Sequence, residues 1–69
     1  MALSARNQLE GTVLSVKLGE IVAEVTIELD SRQSVVSVIT RGSAEALGLK
    51  QGARAKAVIK ATEVMVAKD

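Results

Sequence analysis

Side chains that donate hydrogen bonds form three short groups in this 69-residue sequence, with no carboxylate inside any group. The groups are Ser4, Arg6, Asn7 and Gln8; Thr40 and Ser43; and Lys60 with Thr62. A tetrahedral oxyanion has four oxygens that only accept hydrogen bonds, so its site needs many donors and one or two cations. Arg6 and Lys60 would supply the positive charge. The pattern indicates a local oxyanion site, and residue types alone leave the identity of the anion open.

Each donor also has an ordinary structural explanation. Ser43 is typical of a helix cap, and Thr40 suits the end of a strand. Arg6 near the amino terminus and Lys60 on a strand are commonly solvated charges. Taken singly, each residue is more often structural, so the prediction rests on the three groups together.

Composition argues against several other functions. The chain has no His and no Cys, which removes the usual general base, thiol nucleophile and transition-metal ligands. We therefore expect a binding protein that is not an enzyme, with no metal held by its own side chains and no organic cofactor. With no aromatic residue and a net charge of +1, a nucleic-acid-binding barrel is the less favoured alternative. No membrane-spanning or secretory segment is recognised, which predicts a cytoplasmic protein.

Apolar periodicity predicts the strands and the helix that carry these donors. Alternation and β-branched residues indicate five strands, at residues 8–18, 21–30, 34–40, 53–59 and 62–67. Ser43 and Gly48 bound one short helix. The predicted fold is all-β, a five-stranded OB-like Greek-key barrel with one short helix between strands 3 and 4, and an open five-stranded sheet is the alternative. Gly11 within the first strand indicates a bulge or bend, or is simply tolerated.

Association between copies is expected for two reasons. A core without Phe, Tyr or Trp is built from small aliphatic side chains, and no disulfide or zinc site is available to support it. The third and fifth predicted strands carry apolar residues on both faces, whereas a small barrel has one interior. We predict that residues 1–69 form a single domain that assembles into a homo-oligomer.

Three stretches of the sequence resemble a known family. They are SARNQL at residues 4–9 with Gly11, residues 40–43 leading into LGLK at 47–50 with Gly52, and VIKATEVM at 58–65. Together they resemble the molbindins, the Mop-like molybdate-binding proteins with a TOBE-type domain. Related molybdate-binding domains occur in molybdate-responsive transcription regulators and molybdate transporter ATPases.

The resemblance implies an OB-like subunit in a hexamer built as a trimer of dimers. Molybdate or tungstate would bind as the oxyanion at subunit interfaces, for intracellular storage or homeostasis, and a second kind of site near the threefold axis has no assigned residues. The side chains implicated as donors, with Asn7 as a further candidate, are Ser4, Arg6, Thr40, Ser43 and Lys60. Backbone N–H groups near Arg6 and Ala61 would assist. A structural or regulatory interaction domain that binds sulfate or phosphate is the alternative function.

Overall fold

Four antiparallel strands form a single sheet in the computed structural model, which describes residues 2–69. The strands are β1 (Asn7–Leu18), β2 (Val22–Leu29), β3 (Ser34–Thr40) and β4 (Arg54–Ile59), and the helix α1 (Arg41–Ala46) lies between β3 and β4. The order across the sheet is β3-β2-β1-β4. Each of these strands starts and ends within one residue of its predicted range, because apolar alternation is a strong signal for half-buried strands. The all-β prediction with one short helix is confirmed.

The core lies on the concave face of this sheet and is small. Alternate residues of β2 point inward, and Val25 packs with Val13 of β1 as the largest fully buried side chains. Among residues 2–69, the buried apolar residues are Val13, Ala23, Val25, Ile27, Leu29, Ala44 and Ala57. No buried side-chain nitrogen or oxygen among residues 2–69 lacks a hydrogen bond. The interior is therefore aliphatic and limited in area.

The fifth strand predicted at residues 62–67 is absent within the described chain. After β4, Ala61–Glu63 form a short 3-10 helix, η1, and the residues beyond it have no regular structure. Met65 and Val66 are 93% and 92% exposed. A strand requires a partner backbone, and the residues after the turn at Lys60–Val64 pair with none of the four strands. The prediction of five strands within one subunit is corrected to four.

Helix α1 begins at a different residue from the one predicted. Thr40 is the N-cap, since its Oγ1 accepts a hydrogen bond from the Ser43 backbone N–H at 3.0 Å. Ser43 therefore lies inside the first turn. At the other end, Gly48 N–H donates to the Glu45 carbonyl and Leu49 N–H donates to the Ala44 carbonyl, which is a Schellman motif. No helix among the described residues has the length and apolarity needed to cross a membrane.

Gly48 closes α1 in the left-handed backbone region, with φ at 66°. A β-branched side chain resists this conformation, so Gly48→Val is expected to lower the free energy of unfolding by about 1–2 kcal/mol. Far-UV circular dichroism during urea unfolding would measure the loss. A variant as stable as the wild type would show that the helix can end in another conformation.

Gly11 accommodates a close approach between strands and does not mark the bulge. It lies opposite Leu29 of β2 and Ala55 of β4 in the middle of the sheet. A Cβ atom at this position would lie 2.4 Å from the Glu28 carbonyl oxygen. The register shift of β1 occurs instead between Val13 and Ser15, which makes Leu14 the extra residue. The β1–β2 contact therefore requires glycine at position 11.

An exposed ion pair joins β4 to the turn between β2 and β3. Both Arg54 terminal nitrogens donate to the Asp30 carboxylate, at 2.9 and 3.0 Å, and Nη1 also donates to Thr12 Oγ1 at 3.0 Å. The Arg54 hydrogen bond lowers the pKa of Asp30 below its ordinary value of 3.8. The contact therefore stabilises the ionised carboxylate in the folded protein.

Replacing Arg54 with methionine is expected to raise the pKa of Asp30 back towards its ordinary value, because the hydrogen bond and the nearby positive charge are removed together. In the wild type the folded-state pKa is depressed. The stabilisation is therefore present above pH 3.8 and is lost as the pH falls through the lowered pKa. Carboxyl NMR titration of Asp30 checks this, and an identical titration in both proteins would contradict the assignment.

Candidate oxyanion-binding site

The first and third donor groups lie together at one end of the sheet, here called the Arg6–Lys60 edge (Ser4, Arg6, Asn7, Lys60 and Ala61). The first residue of β1, Asn7, pairs with the last residue of β4, Ile59. Arg6 precedes Asn7 and Lys60 follows Ile59, so antiparallel pairing brings the two cations to the same end of the sheet. Asn7 is half-buried and the other four residues are exposed.

Two amide side chains at this edge already donate hydrogen bonds within the chain. Asn7 Nδ2 donates to the Ile59 carbonyl at 3.1 Å, and Gln8 Nε2 donates to the Ala5 carbonyl at 3.0 Å. Each amide has two N–H groups, so one on each is engaged. Each amide therefore keeps one N–H group that could donate to an external acceptor.

The turn after β4 presents backbone donors beside Lys60. Lys60 is the N-cap residue of η1, and its side chain makes no capping hydrogen bond. The first N–H groups of such a turn have no partner within it, which leaves the amide of Ala61 suited to an external acceptor. Glu63 lies in the same turn and is an acidic neighbour that the sequence analysis did not weigh.

The second donor group is formed by Thr40 and Ser43. The Thr40 hydroxyl donates to Ser43 Oγ at 2.7 Å while it accepts from the Ser43 N–H. In this arrangement the Ser43 hydroxyl proton is free to point outward. Both residues are exposed, so the pair presents a preformed hydroxyl donor at the start of α1.

Arg41 is a cation next to Thr40 that the sequence analysis did not consider. Its Nη1 donates to the Gly19 carbonyl at 3.3 Å, and its Nε lies 3.5 Å from a carboxylate oxygen of Glu45. These contacts direct the guanidinium towards the turn between β1 and β2. They also pair the carboxylate that lies closest in sequence to Ser43.

A single chain does not bring the Thr40–Ser43 pair to the Arg6–Lys60 edge. Thr40 pairs with Val22 of β2, at the end of the sheet where β1 finishes at Leu18. The Arg6–Lys60 edge lies at the opposite end, where β1 begins. Eleven residue steps along β1 correspond to about 36 Å of extended strand, although curling shortens the direct distance. Two of the predicted donor groups meet in the subunit and the third does not.

Comparison with known proteins identifies the family. The TOBE domain matches residues 3–66, which is nearly the whole chain and includes all three donor groups. The chain belongs to the TOBE-domain family. This TOBE domain is 48% identical over 66 residues to molybdenum-pterin-binding protein 1 of Clostridium pasteurianum, and the match covers 96% of this chain and 97% of that protein. The predicted resemblance to Mop-like proteins is confirmed.

Solved structures show the same fold as this TOBE domain. An apo form of MopII from Clostridium pasteurianum superposes with a TM-score of 0.91 at 43% identity, covering 97% of this chain and all of that one. The cytoplasmic molybdate-binding protein ModG, in a form with molybdate bound, gives a TM-score of 0.85 at 43% identity, covering 88% of this chain and 43% of that one. The TOBE domain therefore shares both sequence and backbone with proteins described as binding molybdenum compounds.

Proposed function

We propose that this TOBE domain binds molybdate or tungstate as the oxyanion, at sites formed between copies of the chain, for molybdenum storage or homeostasis in the cytoplasm. The residues proposed to form the site are Ser4, Arg6, Asn7, Thr40, Ser43, Lys60 and the backbone of Ala61. Similarity to a cytoplasmic protein with molybdate bound supports the choice of ligand and compartment. No bond is made or broken in this function, so the domain acts as a binding protein and needs no catalytic group.

The main support for a shared site is that the donor groups lie at opposite ends of the sheet within one chain. The Arg6–Lys60 edge offers two cations, and the Thr40–Ser43 pair at the other end of the sheet offers a preformed hydroxyl. All the charged donors are exposed in one chain, where water screens them. A second copy that supplies its Thr40–Ser43 pair would complete the donor set and also exclude water from it.

Unpaired apolar surface supports assembly. Val36 and Val38 of β3 are 60% and 66% exposed, and they lie on an edge strand with neither Lys nor Pro to discourage pairing. Between β3 and β4 lies an open groove of about 670 Å³, lined largely by aliphatic side chains that include Val35, Ile39 and Ala57. We propose that the tail of another copy enters this groove and forms the fifth strand of the barrel, within a hexamer.

Equilibrium dialysis with radioactive molybdate, in the presence and absence of excess sulfate, tests the function. Retention of molybdate against sulfate is the expected result. Equal displacement by sulfate would instead support the alternative of a general oxyanion-binding interaction domain, and no retention would reject oxyanion storage. Light scattering on the same samples gives the mass of the assembly, and a monomer at full occupancy would reject the shared site.

Mixing two variants that are each expected to lose molybdate binding tests whether one site takes its donors from two chains. One variant carries Arg6→Ala with Lys60→Ala, and the other carries Thr40→Ala with Ser43→Ala. Unfolded together and refolded as a mixture, they are expected to recover a fraction of the wild-type sites, since some interfaces would combine the two intact halves. Refolding each variant alone is the control. No recovery in mixtures shown by native mass spectrometry to be hetero-oligomers would place all donors on one chain.

A further inference from the structure

We infer that Asn7 and Gln8 are positioning residues, which hold the two cationic segments of the Arg6–Lys60 edge at a fixed separation without contacting the anion themselves. This inference rests on the proposed function and deepens it. It assigns to Gln8 a role in binding, and it gives Asn7 a different role from that of a direct donor. The observation behind it is that both amides donate to backbone carbonyls next to the residues that carry the charge.

Asn7 holds the segment of the edge that follows β4. Its Nδ2 donates to the Ile59 carbonyl, which is the last group of β4 before Lys60. The contact joins residues 52 apart in sequence, and Asn7 is the one half-buried member of the edge. Loss of this hydrogen bond would free the end of β4, and with it the backbone that carries Lys60 and the amide of Ala61.

Gln8 holds the segment of the edge that precedes β1. Residues 2–6 precede β1 and belong to no strand, so the pairing of the sheet does not hold them. Gln8 pairs with Val58 in the sheet, and its Nε2 reaches back three residues to the Ala5 carbonyl. The side chain thereby ties the segment bearing Ser4 and Arg6 to a residue within β1.

The two contacts together act as braces on either side of the Asn7–Ile59 pair. An anion that must be held by a guanidinium and an ammonium gains affinity when both are ordered before it arrives, because less conformational entropy is lost on binding. Partners that orient the direct ligands of a bound metal typically change affinity by about 10- to 100-fold when removed. For a brace on an oxyanion site we expect the lower end of that range.

Five variants test the braces in the assembled protein by molybdate titration calorimetry. Asn7→Ala and Gln8→Ala are each expected to weaken molybdate binding by about 10-fold. Thr12→Ala is the matched control, because it removes a side-chain hydrogen bond to Arg54 elsewhere in the β1–β4 pair and should leave affinity unchanged. The double variant Asn7→Ala with Lys60→Ala should lose less affinity than the sum of the two single losses, since Asn7 acts through the segment that carries Lys60.

Additive losses in the double variant would overturn the inference, because they would mean that Asn7 contacts the anion independently of Lys60. Unchanged affinity in both single variants would also overturn it and leave the amides a purely structural role. Amide hydrogen exchange without ligand separates this test from that of the proposed function. Faster exchange near Lys60 in Asn7→Ala, and near Arg6 in Gln8→Ala, is expected whether or not molybdate proves to be the ligand, and unaltered exchange would reject the braces.

Discussion

Molybdate is expected to bind to the Lys60→Ala variant about 10- to 150-fold more weakly than to the wild type, because the change removes one charge-assisted donor worth about 1.5–3 kcal/mol. The Lys60 side chain is exposed and makes no capping hydrogen bond, so its removal should leave the free energy of unfolding nearly unchanged. Isothermal titration calorimetry measures the affinity, and urea unfolding measures the stability. Arg6→Ala should behave in the same way, because Arg6 supplies the second positive charge at this edge.

Lys56→Ala is the matched control for Lys60→Ala. Lys56 is an exposed lysine on β4, four residues earlier, and it faces Glu10 on the outer side of the sheet. The Lys56→Ala variant changes the net charge by the same amount as Lys60→Ala. Any loss of affinity that comes from the electrostatic field of the whole protein should therefore appear in both variants. Equal affinities for Lys60→Ala, Lys56→Ala and the wild type would remove Lys60 from the site.

The Gly11→Ala variant is expected to lose about 3 kcal/mol of its free energy of unfolding. The added methyl group would meet the Glu28 carbonyl oxygen at 2.4 Å and Ile27 Cγ2 at 2.8 Å, so the backbone of β2 would have to move. That movement is resisted because Ile27 is buried in the core and β1 is also paired with β4 on its other side. Overpacking of this kind commonly costs about 1–3 kcal/mol, and a clash with backbone belongs at the upper limit.

Gly42→Ala provides the contrast for Gly11→Ala. Gly42 lies in α1, and a Cβ atom there would have no neighbour within 4 Å. Alanine favours a helix over glycine by about 1 kcal/mol, so this variant should be at least as stable as the wild type. Circular dichroism at a fixed protein concentration compares the two. If both variants unfold at the urea concentration of the wild type, the approach of β1 to β2 is looser than the geometry indicates.

The strands were predictable because their physical signal is local. In β2, inward Ala23, Val25 and Ile27 alternate with exposed or half-buried polar residues, and this periodicity requires no knowledge of the partner strand. The same signal led to the wrong assignment of a fifth strand to one subunit. Apolar residues such as Val64 and Val66 indicate a surface that must be covered, but not which molecule covers it.

The candidate site was predictable in residue type and not in arrangement. Arg6 and Lys60 were identified from their charge and from the absence of carboxylates around them, and β-sheet register then brought them to one edge. The N-cap was misassigned because Thr40 and Ser43 are both favoured cap residues, and only backbone geometry distinguishes them. The engagement of Asn7 and Gln8 with backbone carbonyls depends on tertiary geometry that residue spacing does not carry.

The open groove between β3 and β4 links the stability of this protein to its assembly. With so few enclosed aliphatic groups, and with two sheet edges left without neighbours, the isolated polypeptide retains little margin against unfolding. If other copies fill the groove, folding and association are coupled in one equilibrium. Dilution alone then shifts that equilibrium towards the unfolded chain. Molybdenum supply would then govern not only how much ligand is held but also how much protein persists as folded material.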